Sequence, residues 1–146
     1  MSLHSNSRVW VHLIWSTNGH LEVLTPGSAA RVSCFLEAKA EELGIFMFCN
    51  YVNADHVHIL IDLPVDWTIA DIVQKLKGAS ARWINQRGLT LEHFGWNRGY
   101  GAFSVSPQDR DIVARYIARQ SEHHRREGYS EELRRLLKEN DAWRRG

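Results

Sequence analysis

The chain has 146 residues, 44% of them hydrophobic and 24% charged, with a formal net charge of +1. That length supports one domain with its own core, and no apolar run approaches the roughly 18 residues of a membrane span. The polar opening and the His12 break in the first apolar run leave no evident signal peptide, so a cytoplasmic protein is expected, and the near-neutral composition alone gives no electrostatic case for nucleic acid.

Charge is unevenly placed: residues 1–109 hold 8 Lys/Arg against 10 Asp/Glu, and residues 110–146 hold 10 against 7. The last quarter is therefore basic and Arg-rich, suited to bidentate phosphate contacts or simply to a solvated helix face. Cys34 and Cys49 lack any CxxC spacing and read as reduced core thiols.

Residues 8–16 (RVWVHLIWS) predict a strand, β1. Val9, Val11, Leu13 and Trp15 lie on one face, with Trp10, His12 and Ile14 on the other. Thr25-Pro26 then offers a cap and a first-turn proline for a helix, α1. Its stripe of Val32, Phe35, Leu36, Lys39, Ala40 and Leu43 runs to Gly44. Residues 45–53 predict β2, and Asn53-Ala54-Asp55 supplies a turn before a strand β3 starting at His56, so the two strands form a hairpin.

Thr68 caps a second helix, α2, with Ile69, Ile72, Val73, Leu76, Trp83 and Ile84 as its apolar stripe up to about Gly88; Gly78 costs that helix about 1 kcal/mol against alanine. Residues 89–99 form a loop and residues 100–106 a strand, β4. The order βαββαβ is the split, ferredoxin-like pattern: an α+β fold with an antiparallel sheet and both helices on one face. Val57, Ile59 and Ile61 should face those helices, leaving the other face of β3 open.

Ser106-Pro107-Gln108-Asp109 then reads as a helix start, with a serine cap, proline at N1 and an acid at N3. The expected helix α3 carries Ile112, Val113, Tyr116, Ile117, Gln120 and His124 to Gly128, stacking Tyr116 and Gln120 one turn apart. A last helix, α4, over residues 130–140 should dock through Leu133, Leu136 and Leu137.

The anomaly is Asp55-His56-Val57-His58-Ile59-Leu60-Ile61. Strand side chains alternate, so His56 and His58 project from one face, and two neutral imidazoles so placed can aim a ring nitrogen at one divalent ion. A lone buried histidine is usually a hydrogen-bonded core residue, but two on the same face of a central strand weigh against that reading. No further Cys, His or acid falls at a familiar zinc spacing. Tyr116 alone would be a core aromatic. As a nucleophile it needs help, because only about one phenol in a thousand is ionised at pH 7. Gln120 could orient that phenol or supply an oxygen ligand, or it could face solvent. His12, on a strand next to β3, could support the pair from behind, whereas His123 and His124 read as structural.

Taken together these motifs resemble the IS200/IS605-type single-tyrosine (Y1, HUH) transposases, including those associated with repetitive extragenic palindromes (REP). The resemblance covers nearly the whole chain. It rests on Val11 to Thr17 (VHLIWST), the His56-Val57-His58 strand, Leu76 to Ser80 (LKGAS), Trp96 to Ser106 (WNRGYGAFSVS) and Tyr116 to His124 (YIARQSEHH), in that order. It implies a single transposase domain over residues 1–146, in which a ferredoxin-like fold carries an added C-terminal catalytic helix. The implied cofactor is Mg²⁺ or Mn²⁺, held by His56, His58 and Gln120. The implied chemistry is attack by Tyr116 on single-stranded DNA with hairpin ends, through a 5′-phosphotyrosine. It also implies a homodimer, in which α3 of one subunit could cover the histidines of the other. Lys75, Lys77, Arg82, Arg98 and Arg119 are the candidate DNA contacts.

Two rivals remain. A ferredoxin-like fold can bind hairpin nucleic acid without catalysis, as an inactive or domesticated relative would. A histidine-triad nucleotide hydrolase would need a third histidine where Leu60 stands.

Overall fold

The computed structural model describes residues 6–121 and 127–145. Its sheet has β1 (Trp10–Ser16) and β3 (His56–Asp62) at the centre, with β2 (Phe46–Val52) and β4 (Gly101–Val105) at the edges. The order is β2-β3-β1-β4 and every pairing is antiparallel. α1 (Pro26–Glu42) and α2 (Ile69–Arg87) pack on one face, completing the expected split βαβ pattern. No helix among the described residues is long and apolar enough to cross a membrane.

Local chemistry sets most boundaries. The Thr25 and Thr68 hydroxyls accept the amides of Ser28 (3.1 Å) and Asp71 (3.0 Å), each satisfying an orphan N–H of a first turn. Gly88 ends α2 in the left-handed region (φ +61°), where a side chain would be strained. β1 starts two residues later than its pattern suggests, because the Asp62 carboxylate takes the Val9 amide (2.9 Å) in place of a ladder partner.

Alternation divides the sheet cleanly. Val11, Leu13 and Trp15 of β1 and Val57, Ile59 and Ile61 of β3 face α1 and α2. There they meet Val32, Leu36, Ile72, Leu76 and Ile84 in the main core, each such aliphatic contributing about 1.5–3 kcal/mol by burial.

The opposite face is not open as the sequence suggested. α3 (Arg110–Ala118) lies over β2 and β3, and α4 (Tyr129–Arg145) packs Tyr129, Leu133 and Leu136 against Ile14 and Phe103, all within one chain. Gly101 makes this approach possible, since a Cβ there would sit 2.8 Å from Ile14 and 2.9 Å from Leu133.

Three further expectations are corrected. Residues 107–109 form a turn closed by the Asp109 amide on the Ser106 carbonyl (3.0 Å); the helix proper begins at Arg110, with Asp109 as an N-cap whose side chain makes no capping bond. The serine and proline that would start a helix serve equally well in this tighter turn. The helix expected up to Gly128 is interrupted after Ala118, where the Arg119 amide adds a tighter bond to the Tyr116 carbonyl (3.2 Å) to its ordinary helical bond to Arg115 (3.1 Å); residues 120 and 121 are helical again, and residues 122–126 lie outside the described residues. α4 is longer than residues 130–140, and Leu137 points outward at 47% exposure instead of docking.

Candidate active site

β3 presents His56 and His58 side by side on the face under α3 and α4, both essentially without solvent exposure. A ring nitrogen on each is already committed. His56 Nδ1 donates to the Asp55 carboxylate (2.6 Å), and His58 Nδ1 shares a hydrogen bond with His12 Nε2 across the β1–β3 pairing (2.8 Å). Such partners behind an imidazole fix its orientation, and here they leave both Nε2 atoms aimed into the space beneath the helices. His12 stays neutral, since burial, aided by neighbouring His58, pushes it down to about 3.

Both Nε2 atoms meet one carboxylate oxygen. Glu132 Oε1, from the first turns of α4, lies 3.0 Å from His56 Nε2 and 3.2 Å from His58 Nε2. Glu132 Oε2 accepts the phenolic hydroxyl of Tyr116 and, at 3.2 Å, the amide nitrogen of Gln120. Arg135, one turn along α4, donates to Tyr116 Oη (2.7 Å) and is held in place by Glu127 (2.7 Å) and Glu139 (3.0 Å). Asn53, in the β2–β3 turn, donates to Gln120 Oε1 (3.4 Å) and sits 3.1 Å from His56 Nε2.

The electrostatics follow from this crowding. Burial opposes ionisation of Glu132, but hydrogen bonds from His56, His58 and Tyr116 outweigh it and hold the carboxyl far below its ordinary range. His56 shows the complementary balance: burial disfavours its cation, yet Asp55 and Glu132 raise it to about 9. His58 has no such second acid, and burial lowers it. Tyr116 is pushed above the usual phenol value by burial and by Glu132.

His56, His58, Tyr116 and Gln120, singled out from sequence, therefore converge in one chain, with the His58 and Tyr116 rings 5.8 Å apart. His12 joins them behind His58, as the strand order suggested. His123 and His124 lie outside the described residues.

The candidate DNA cations do not converge. Lys75 and Arg82 are exposed on α2, Arg98 is exposed in the loop before β4, and Arg119 is exposed just past α3. Lys77 is engaged by that loop: its ammonium donates to the carbonyls of Asn97 (2.8 Å), Arg98 (3.1 Å) and Gly99 (2.9 Å), and burial lowers its pKa.

Sequence reasoning missed Glu132, Arg135, Asn53 and Asp55. A trace of Glu132 was present: Tyr129, Glu132, Leu133 and Leu136 recur at helical spacing, so one acid stands in an otherwise apolar stripe. The donors fit a divalent ion. One ligand atom from each of His56, His58 and Glu132 lies within 4.8 Å of the others, all three residues are buried, and the set combines imidazole with a carboxylate.

Comparisons with known proteins agree with this architecture. Residues 5–120 match the family described as "Transposase IS200 like". The ISDra2 transposase TnpA of Deinococcus radiodurans is 32% identical over 114 residues, covering 75% of this chain and 81% of that protein. A crystal structure from Deinococcus radiodurans R1, described as that of a candidate transposase, superposes with a TM-score of 0.62 at 28% identity, over 82% of this chain and 96% of the other. The REP-associated tyrosine transposase bound to a REP hairpin shares the fold, with a TM-score of 0.59 at 16% identity over 85% and 74%.

Proposed function

This chain belongs to the IS200-like transposase family, and from that premise we propose that it cleaves and rejoins single-stranded DNA at hairpin-bearing ends through a 5′-phosphotyrosine intermediate on Tyr116. The observation that carries the reading is the meeting of Tyr116 Oη with the His56 and His58 Nε2 atoms around one carboxylate, inside one chain.

In this reading His56 and His58 hold a divalent cation, Mg²⁺ or Mn²⁺, with oxygen ligation completed from the Gln120/Glu132 side of the cavity. Such an ion supplies positive charge that polarises the scissile phosphate. Asp55 and His12 keep the two rings turned toward it. Tyr116 Oη passes its proton to Glu132 Oε2, to which it already donates, and forms a bond to phosphorus; the bond from phosphorus to the 3′ oxygen breaks, and that oxygen takes up the proton and leaves as a 3′-hydroxyl. A second 3′-hydroxyl reverses the step and joins a new strand, so no nucleotide hydrolysis is required. Burial and Glu132 disfavour the phenolate, while the hydrogen bond of Gln120 and the Arg135 guanidinium at 2.7 Å favour it.

Lys75, Arg82, Arg98 and Arg119 are the exposed cations of this reading that meet DNA phosphates, while Lys77 acts through the loop it ties down. Each chain offers one such tyrosine, which holds one 5′ end at a time; exchange between two ends calls for two chains, hence a homodimer. The REP-hairpin-bound neighbour supports hairpin DNA as the ligand.

The test is incubation with a 5′-extended DNA hairpin and Mg²⁺ or Mn²⁺, followed by denaturing electrophoresis. A covalent protein–DNA adduct is expected from the wild type and none from Tyr116→Phe. An adduct that survives Tyr116→Phe overturns the assignment.

A further inference from the structure

We propose that Glu132 is the oxygen ligand that completes the His56/His58 ion site, and that Gln120 braces Glu132 instead of binding the ion. This rests on the metal-dependent reading above and names its third ligand.

The two separations at Glu132 match the edges of a coordination sphere. Adjacent ligands of a hard divalent ion at about 2.1 Å stand roughly 3 Å apart, and Glu132 Oε1 lies 3.0 and 3.2 Å from the two Nε2 atoms. One oxygen thus forms an edge with each imidazole nitrogen. The chemistry favours it as well: Mg²⁺ and Mn²⁺ prefer hard, anionic oxygen, which a carboxylate offers and a primary amide does not.

Gln120 is arranged otherwise. Its amide nitrogen donates to Glu132 Oε2 (3.2 Å), and its oxygen accepts from Asn53 (3.4 Å). The opposite amide orientation would set oxygen against oxygen at Glu132 and nitrogen against nitrogen at Asn53, so the hydrogen-bond network selects the orientation observed. With that orientation the acceptor of Gln120 is spent and its donor steadies the carboxylate.

Glu132 also has a rigid mount. Leu133 and Leu136 seat α4 on Ile14 and Phe103, and Gly101 admits the close contact. The family match ends at residue 120, before α4 begins, so this ligand belongs to the part of the chain that the match does not describe. It makes the site whole within one subunit.

The experiment is Mn²⁺ titration of the full chain without DNA, by calorimetry and by electron paramagnetic resonance of the free ion. Wild type, His58→Ala, Glu132→Gln, Glu132→Asp and Gln120→Ala are compared, with near-ultraviolet circular dichroism to follow the seating of α4. Glu132→Gln should weaken Mn²⁺ binding by more than about tenfold, the lower end of what even an indirect partner of a metal costs. Gln120→Ala should weaken it less. Glu132→Asp keeps the charge on a shorter arm, and an intermediate affinity supports the assignment even if Glu132→Gln loosens α4.

Affinity undiminished by both Glu132 substitutions, with His58→Ala abolishing binding, overturns the inference and leaves the transposase reading standing. A loss in Gln120→Ala as large as in Glu132→Gln overturns the division of roles. A wild type that binds no Mn²⁺ removes the metal-dependent reading itself.

Discussion

The two faces of the sheet are built from the same central strands, residue by residue, and both are buried under a pair of helices. On the face under α1 and α2, β1 and β3 contribute Val11, Leu13, Trp15, Val57, Ile59 and Ile61. On the face under α3 and α4 the alternate positions are Trp10, His12, Ile14, His56, His58 and Leu60. The first face is held by transfer of apolar surface from water, which is strong and nondirectional. The second carries at its centre a polar network that is stable only while each member keeps its partner. Two-residue periodicity lets one strand serve both ends, so adjacent residues can be altered with separate consequences.

The sharpest separation uses Tyr116 and Ile59. Tyr116→Phe removes one hydroxyl and with it the bonds to Glu132 and Arg135. The stability cost should be near 1 kcal/mol, while covalent adduct falls by about a thousandfold or more, as expected when a nucleophile is lost. Ile59→Ala, on the apolar face, should do the reverse, costing about 2–5 kcal/mol in urea unfolding and leaving adduct yield per folded molecule unchanged. Equal losses of activity in the two variants would break the comparison.

How much of this was legible follows the same division. The apolar face was readable because its signal is local: alternation in β1 and β3, threonine caps on α1 and α2, and a glycine stop at Gly88. His56 and His58 were readable as an exception to that alternation. Tyr116 and Gln120 were readable as neighbours on one helix, although the helix breaks between them at Arg119. Glu132 was not, because its contact with His56 spans 76 residues and periodicity shows only that its face of α4 is buried, not what it is buried against. The candidate DNA cations show a further limit. Sequence counts Lys77 like Lys75, yet three loop carbonyls claim its ammonium.

A smaller effect is expected from Gly101→Ala, which touches only the second face. The added methyl would fall 2.8 Å from Ile14 Cγ2 on β1 and 2.9 Å from Leu133 Cδ1 on α4, so the Ile14 side chain must shift and Leu133 must turn away or carry α4 outward with it. Overpacking of this kind costs about 1–3 kcal/mol. Because α4 carries Glu132 and Arg135, adduct formation should drop with it, while the ring stacking of Phe35 on Trp83 between α1 and α2 stays as it is. Parallel losses of stability and activity, with the tryptophan environment of the apolar face undisturbed, would show that the two faces fail independently.

The smallest and most local prediction uses the two thiols. Cys34, expected in the core, is instead exposed on α1, outside the apolar face; Cys49 lies on β2 beneath α3, packed with Trp10, Leu60 and Ile117. Burial raises the Cys49 thiol to about 11. A raised pKa leaves less thiolate at any pH below it: at pH 8 about one molecule in a thousand is reactive, and that fraction climbs roughly tenfold per unit toward pH 10. Maleimide labelling followed by peptide mass spectrometry should therefore modify Cys34 first at pH 7 to 8, with Cys49 following slowly and speeding up as pH rises. Because α3 covers Cys49, any opening of the second face adds to this rate. If Cys49 labels as fast as Cys34 at pH 7 in a protein whose apolar face is still folded, α3 is not seated as described, and the helix carrying Tyr116 spends its time away from the histidines.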